Sequence, residues 1–226
     1  MDRVAELIAE LRRHARPGGV EGMARYGIVS TLPAMGVSVG DCRAIAKATG
    51  RDQPLAEALW HSGWYEGRLL AVFVADLAAV TPDLMDRWAA DFDNWAICDT
   101  ACFDLFDRSP HAFEKIRRWA VREEEFVRRA AFALLASVAL HAKKRPDSDF
   151  LEFLPLVEAG ADDGRNFVKK GVSWALRSMG QRRGLHGPSV ALAEHLAASS
   201  DPARRWVGKD VLRDLSRPLV KKRVGL

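Results

Sequence analysis

Apolar residues recur at three- and four-residue intervals along most of the chain. The pattern is clear in LAEALW, GRLLAVFVADLAAV, FEKIRRWAV, VRRAAFALLASVALHA, FVKKGVSWALRSM, SVALAEHLAAS and WVGKDVLRDLS. That spacing gathers side chains onto one face of an α-helix. Alternation with a period of two is scarce, and no Asn-Gly hairpin signal is present. Proline and glycine punctuate the periodic segments at Pro54, Gly63, Pro82, Pro110, Pro146, Gly160, Gly164, Gly180, Pro188 and Pro202, where helices start or stop. The pattern predicts an all-α chain with helices of about 10 to 17 residues.

Several of these helices resemble one another. WYEGRLLAVFVA, WAICDTACFDLF, FVRRAAFALLA, FVKKGVSWALRSM and WVGKDVLRDL align on a leading aromatic: Trp64, Trp95, Phe126, Phe167 and Trp206, separated by 31, 31, 41 and 39 residues. Shorter helices such as TPDLMDRWAADF and HAFEKIRRWAV lie between them. The period is near the roughly 40 residues of HEAT-type helix-pair arrays. Stacked pairs make a solenoid with one concave face, and no single repeat closes its own core. A single domain over residues 1–226 is expected, with HAKKRPDSD at 141–149 as a long polar loop inside it.

Composition narrows the class. The 226 residues carry 48% hydrophobic and 28% charged side chains, enough for a sizeable core in a soluble protein. The densest apolar run, LLAVFVA at 69–75, is closed by Asp76 and is too short to span a bilayer. The amphipathic, acid-containing start MDRVAELIAELRRHAR lacks the apolar core of a signal peptide. A cytoplasmic protein without a membrane partner is expected. Cys42, Cys98 and Cys102 form no Cys-x-x-Cys pair or Cys/His cluster, so they read as small buried thiols and no metal site is expected.

Charge adds a direction. The net charge is +4, but residues 165–226 hold 14 Lys/Arg against 4 Asp/Glu, leaving −6 for the rest. A basic end on an acidic body suggests a polyanionic partner, most often nucleic acid. Numbering each repeated helix from its aromatic, the stripe at 0, +3, +4 and +7 holds Trp95 and Asp99, then Phe126 and Arg129, then Phe167, Lys170 and Trp174, then Trp206, Lys209 and Arg213. With equivalent helices side by side, these stripes merge into a concave basic groove lined with indoles, cations and one acid. Lys and Arg neutralise phosphates, and indoles pack on sugars or bases.

A carboxylate on such a surface repels DNA unless it meets a cation. A purine alkylated at N3 or N7 is itself cationic, and cleavage of its N-glycosidic bond gives the sugar the oxocarbenium character that carboxylates stabilise in glycosidases. Asp99 can stabilise that charge and orient water. Trp95 and Trp174 can stack on a cationic nucleotide, worth about 0.5 to 2 kcal/mol each.

At these residues the chain resembles the AlkD-type DNA alkylation-repair family, the HEAT-like repeat DNA glycosylases, over nearly its whole length. MARY at 23–26 followed by MGVSVGDCRAIAK, LWHSGWYEGRLLA at 59–71, WAICD at 95–99, FVRRAAFALL at 126–135 and FVKKGVSWALR at 167–177 match its motifs in order. The resemblance implies that Asp99 is the catalytic aspartate and that Trp95 and Trp174 contact the lesion nucleotide's sugar. It implies that Arg129 lies near the lesion and its phosphate, and that Tyr26 approaches the DNA. It further implies excision of 3-methyladenine- and 7-methylguanine-type lesions from double-stranded DNA without flipping the base into a pocket. Two positions depart from the family pattern: Ala96 stands where an acidic residue is common, and Phe126 where tryptophan is frequent.

The remaining expectations are specific. Lys169, Lys170 and Lys209 read as DNA contacts; no feature argues for a Schiff-base lysine, so no lyase activity is expected. No cofactor is required, and the chain is expected to act as a monomer. Asn94 or Asp93 is the better helix cap for a helix beginning at Trp95, although Asp99 itself is a second candidate cap. Glu66 and Arg68 are expected to pair between helices, and Arg128 with Glu123–Glu125. Trp95 and Trp174 at helical spacing also fit inter-repeat core. Two functions therefore stand beside the glycosylase: a HEAT-like module that binds distorted or branched DNA without chemistry, and a protein scaffold, which the basic end disfavours.

Overall fold

Helix boundaries follow capping chemistry. A computed structural model describes residues 2–226, and Asp2, Ser38, Asp52, Thr81, Asn94 and Asp201 each accept a backbone N–H bond at the start of a helix. Short polar side chains at this position satisfy donors that have no partner within the helix. Proline follows the cap directly in the helices beginning at Pro82, Pro202 and Pro218, where its missing N–H costs nothing. Among the described residues there is no strand, and the all-α reading holds.

The chain forms two compact units, Met1–Ser109 and Pro110–Leu226. The first contains α1 (Arg3–Arg13), α2 (Gly19–Arg25), α3 (Val39–Thr49), α4 (Gln53–Trp60), α5 (Tyr65–Val74), α6 (Pro82–Ala90) and α7 (Trp95–Asp104). Here α5 is central, packed against α3, α4 and α7. Its core is aromatic at one end: Trp60 and Trp88 stack with ring centres 4.1 Å apart, and Trp60 Nε1 donates to Asp91 at 2.7 Å.

Glu66, in the first turn of α5, is fully buried. Its carboxylate accepts N–H bonds from Met35, Gly36 and Val37 at 2.8–3.2 Å. It therefore holds the loop before α3. Arg68 turns to the Asp91 carbonyl at 2.6 Å. The expected Glu66–Arg68 pair is thus replaced by two separate anchors, because a buried carboxylate is better satisfied by three converging backbone donors.

The second unit contains α8 (Ala112–Trp119), α9 (Glu125–His141), α10 (Ser148–Leu151), α11 (Leu154–Gly160), α12 (Asn166–Gly180), α13 (His186–Ala197), α14 (Pro202–Leu215) and α15 (Pro218–Val224). The long helices α9 and α12 make its most extensive contact, and α14 packs on α12 and α13. Small residues allow the close approach: a Cβ at Gly160 would meet the Phe132 ring at 2.3 Å, and one at Gly208 would meet the Ala197 nitrogen at 2.3 Å. Arg128 pairs with Asp163 at 3.3 Å. That corrects the expected pairing with Glu123–Glu125, since Asp163 is buried and more in need of a counter-charge.

The aromatics that mark the repeat fall at corresponding places. Trp64, Trp95, Phe126 and Phe167 cap or begin α5, α7, α9 and α12, while Trp206 sits one turn into α14. The polar stretch 141–149 closes α9, forms a turn and opens α10. No helix among the described residues is long and apolar enough to cross a membrane.

Candidate nucleic-acid interface

In the first unit the site begins with Asn94. Its side-chain oxygen accepts from the N–H groups of Ala96 and Ile97 at 3.0 and 3.1 Å, so Asn94 caps α7 and Trp95 becomes the first helical residue. Asp99 is mid-helix and caps nothing. Half of α7 is buried, through Ala96, Ile97, Cys98, Ala101 and Cys102. Trp95, Asp99 and Phe103, spaced by four, lie half-buried along one stripe. The indole and the acid therefore share the face that the core leaves accessible.

Trp95 is fixed from the other side. Its Nε1 donates to the backbone carbonyl of Tyr26 at 3.1 Å, and Tyr26 is 77% exposed. Two residues 69 apart that were both expected at the DNA are thus joined directly. Asp93 reinforces the joint: it accepts from the Ser30 hydroxyl at 2.9 Å and from the Thr31 N–H and hydroxyl at 2.5 and 2.8 Å. Burial alone would raise its carboxyl, but these bonds and one from Asn94 hold it below its ordinary value. Asp93 was considered from sequence only as a cap; its part in holding the 30–31 loop needed the fold to be seen.

The thiols of Cys42 and Cys102 are inert. None of the three cysteines is in a disulfide, and all are buried. Burial, with Glu66 and Asp41 nearby, pushes the Cys42 thiol up to about 12. Burial, a hydrogen bond with Cys98 and the charge of Asp99 push Cys102 well upward. Thiolates are the reactive form, so this chemistry is closed to both.

In the second unit, Arg129 is only 6% exposed, and its guanidinium donates to the Phe167 carbonyl at 2.6 Å. It joins the first turns of α9 and α12. Phe126 and Phe167 pack together there, with ring centres 5.4 Å apart. Lys170 is exposed, and Trp174, four residues on, is half-buried on the same face of α12. Lys169 leans the other way, its Nζ 5.3 Å from the Trp206 ring centre on α14. Trp206 is 36% exposed and Lys209 is exposed one turn later. Asp210 accepts from the Ser173 hydroxyl at 2.6 Å, tying α14 to α12, and pairs with Arg213 within α14. The geometry makes this a face with aromatic surface beside cations. Trp206 belongs to it, and its place at the head of the stripe of the fifth repeated helix was the sequence signal for that.

Comparison with known proteins agrees with this architecture. No curated protein matches the chain. A solved structure described as "A new family of proteins related to the HEAT-like repeat DNA glycosylases with affinity for branched DNA structures" is similar at a TM-score of 0.75 and 21% identity, covering 94% of this chain and 95% of that one. The fold is thus that of the HEAT-like repeat DNA glycosylases and their relatives. A model of the family described as "DNA alkylation repair enzyme" matches residues 7–210. The chain belongs to the DNA alkylation repair enzyme family.

Proposed function

We propose that this protein is a monofunctional DNA glycosylase that hydrolyses the N-glycosidic bond of N3- and N7-alkylated purines in double-stranded DNA. The observation that carries the reading is the stripe of α7: a half-buried carboxylate, Asp99, one turn beyond an indole whose ring is anchored to the Tyr26 carbonyl. The substrate supplies the activation. As the C1′–N bond breaks, its electron pair passes to the cationic base, which leaves neutral. Asp99 stabilises the positive charge that grows on the sugar. A water oxygen then bonds to C1′, and its proton passes to the carboxylate or to solvent. Trp95 offers an aromatic face to the lesion nucleotide, and Tyr26 lies beside it. Trp174 is the indole that the second unit contributes to DNA contact. Lys170 and Lys209 are assigned to phosphates, with Lys169 sharing its charge with Trp206. Arg129 sets the start of α12 through the Phe167 carbonyl and so positions Lys170 and Trp174 on that helix. No metal or organic cofactor enters the scheme.

A second reading has its own support: the similar solved structure is described by affinity for branched DNA, and the second unit is strongly basic. In that reading the protein holds distorted or branched DNA without chemistry, and Asp99 is dispensable. The discriminating experiment is single-turnover release of 7-methylguanine and 3-methyladenine from methylated duplex, comparing the native chain with Asp99→Asn. Release by the native chain, lost in the variant while DNA binding persists, supports the glycosylase. No release above the spontaneous rate by either, with equal DNA binding, removes the glycosylase reading for these lesions and leaves the binding module.

A further inference from the structure

The second unit has a basic cavity of about 590 Å³ lined by Lys143, Arg182, Arg183 and Arg223, with Asp147 as the acidic lining residue. It opens where α9 and α12 end, as Ala139, Leu140, Ser178 and Gln181 also line it. The two helices run parallel here. Arg129 reaches the start of α12 at one end, and Arg182 reaches the Ala139 and Ala142 carbonyls at the other. Arg129 and Ala139 are ten residues apart on α9, so the cavity lies about 15 Å along the axis from the DNA contacts assigned to the helix starts.

Cations at helix C-termini have an ordinary role, since they satisfy terminal carbonyls and offset the dipole. Arg182 fills that role completely. It donates to Ala139, Ala142 and Arg145 carbonyls, and its Nε bonds Asp147 at 2.7 Å. Asp147 in turn accepts from the Gly184 N–H at 2.8 Å. The acid of the cavity is therefore committed to Arg182 and the backbone. Arg223 bonds only the neutral amide oxygen of Gln181. Among the described residues no ion pair engages Lys143, Arg183 or Arg223. Three cations with no acid of their own face one concavity, beside the Ser178 hydroxyl. Arg223 belongs to α15, beyond the residues 7–210 that match the family.

We propose that this cavity is a second phosphate-binding site, taking a backbone phosphate from a DNA segment other than the one held at the starts of α9 and α12. Its lining has no aromatic ring on which a free nucleotide's base could stack, which favours the backbone of a polymer. The inference rests on the DNA-binding reading above. It makes the second unit a holder of two backbone segments at opposite ends of the same two helices, an arrangement suited to junctions.

The test replaces Lys143, Arg183 and Arg223 together by glutamine, leaving the structural Arg182 intact, with Arg183→Gln alone as the gentler variant if the triple one melts early. Binding is measured to a linear duplex and to a four-way junction of the same composition, with 31P titration by inorganic pyrophosphate alongside. Junction affinity should fall about tenfold while linear-duplex affinity changes less than about twofold, and the junction's salt slope should shrink. Equal loss on both DNAs, or no loss on either, overturns the second site while leaving DNA binding intact. Loss of pyrophosphate binding with junction affinity unchanged also overturns it, in favour of a small free anion. If the native chain binds neither DNA, the underlying reading falls and this inference falls with it.

Discussion

The first unit carries 11 Lys/Arg against 16 Asp/Glu, a net charge of −5; the second carries 23 against 14, a net charge of +9. The acidic unit contains the anchored indole and the acid of α7. The basic unit contains exposed lysines beside tryptophans at the starts of α12 and α14. For a DNA-binding protein this division has a physical sense. Long-range attraction to phosphates is set by summed charge, so the +9 unit dominates capture. The comparison also shows two ways of building a rigid unit: buried polar anchoring around Glu66 in the first, close backbone approach at Gly160 and Gly208 in the second.

The sharpest way to break this division is Asp99→Asn. If chemistry resides in the first unit, single-turnover base release falls about 100- to 1000-fold, as for loss of one electrostatic stabiliser at a reacting centre. DNA affinity stays or rises slightly, because a charge repelling phosphate is gone. Affinity falling with the rate would mean that Asp99 holds structure and the division is wrong.

Next come paired stability probes. Glu66→Ala strands three N–H donors and should cost about 3 kcal/mol, with amide exchange rising first in residues 2–109. Gly208→Ala forces a Cβ into the Ala197 backbone and should cost a similar amount, about 3 kcal/mol, with exchange rising first in residues 110–226. Identical exchange patterns from both variants would show that the two units open as one.

A smaller effect is expected from Lys170→Ala. Losing one phosphate contact should weaken binding a few-fold and lower the slope of log K against log salt by about 0.9. A variant with an unchanged slope would remove Lys170 from the DNA-contacting set.

The smallest effect concerns acid. Asp93 is held below the ordinary carboxylate value of about 3.9. Its stabilisation of the 30–31 loop is therefore fully present above that value and is lost as pH falls through the lower folded value. Exchange at Ser30 and Thr31 should rise in that acid window, and Asp93→Asn should abolish the step. A step that survives in the variant would assign it to another carboxylate.

Much of the fold was legible because it is local. The periodicity of VRRAAFALLASVALHA needs only one helix face to be buried, and α9 follows. Asn94 could be read as a cap because capping reaches two or three residues. The stripe of Trp95 and Asp99 was legible for the same reason, since spacing by four is a helical property. The rest depended on partners distant in sequence. Glu66 cannot be matched with residues 35–37 without the loop's path, and charge pairing with Arg68 was the nearer guess. Arg128 and Asp163 are separated by most of α9 and by all of α10 and α11. The Trp95–Tyr26 bond is invisible because a backbone carbonyl has no sequence signature. The division into two units was equally hidden, as the repeat spacing runs through both without a linker.

An indole has a single polar hydrogen, and in Trp95 that hydrogen is already spent on the Tyr26 carbonyl. The ring can therefore spell nothing: it has no donor left with which to tell adenine from guanine or thymine from cytosine. In the glycosylase reading proposed above, what it presents outward is an unlettered surface that would meet every nucleotide alike and respond only to flatness and positive charge. A protein built on such a contact would patrol sequence of any composition at the same pace, and would pause where a base has become a cation.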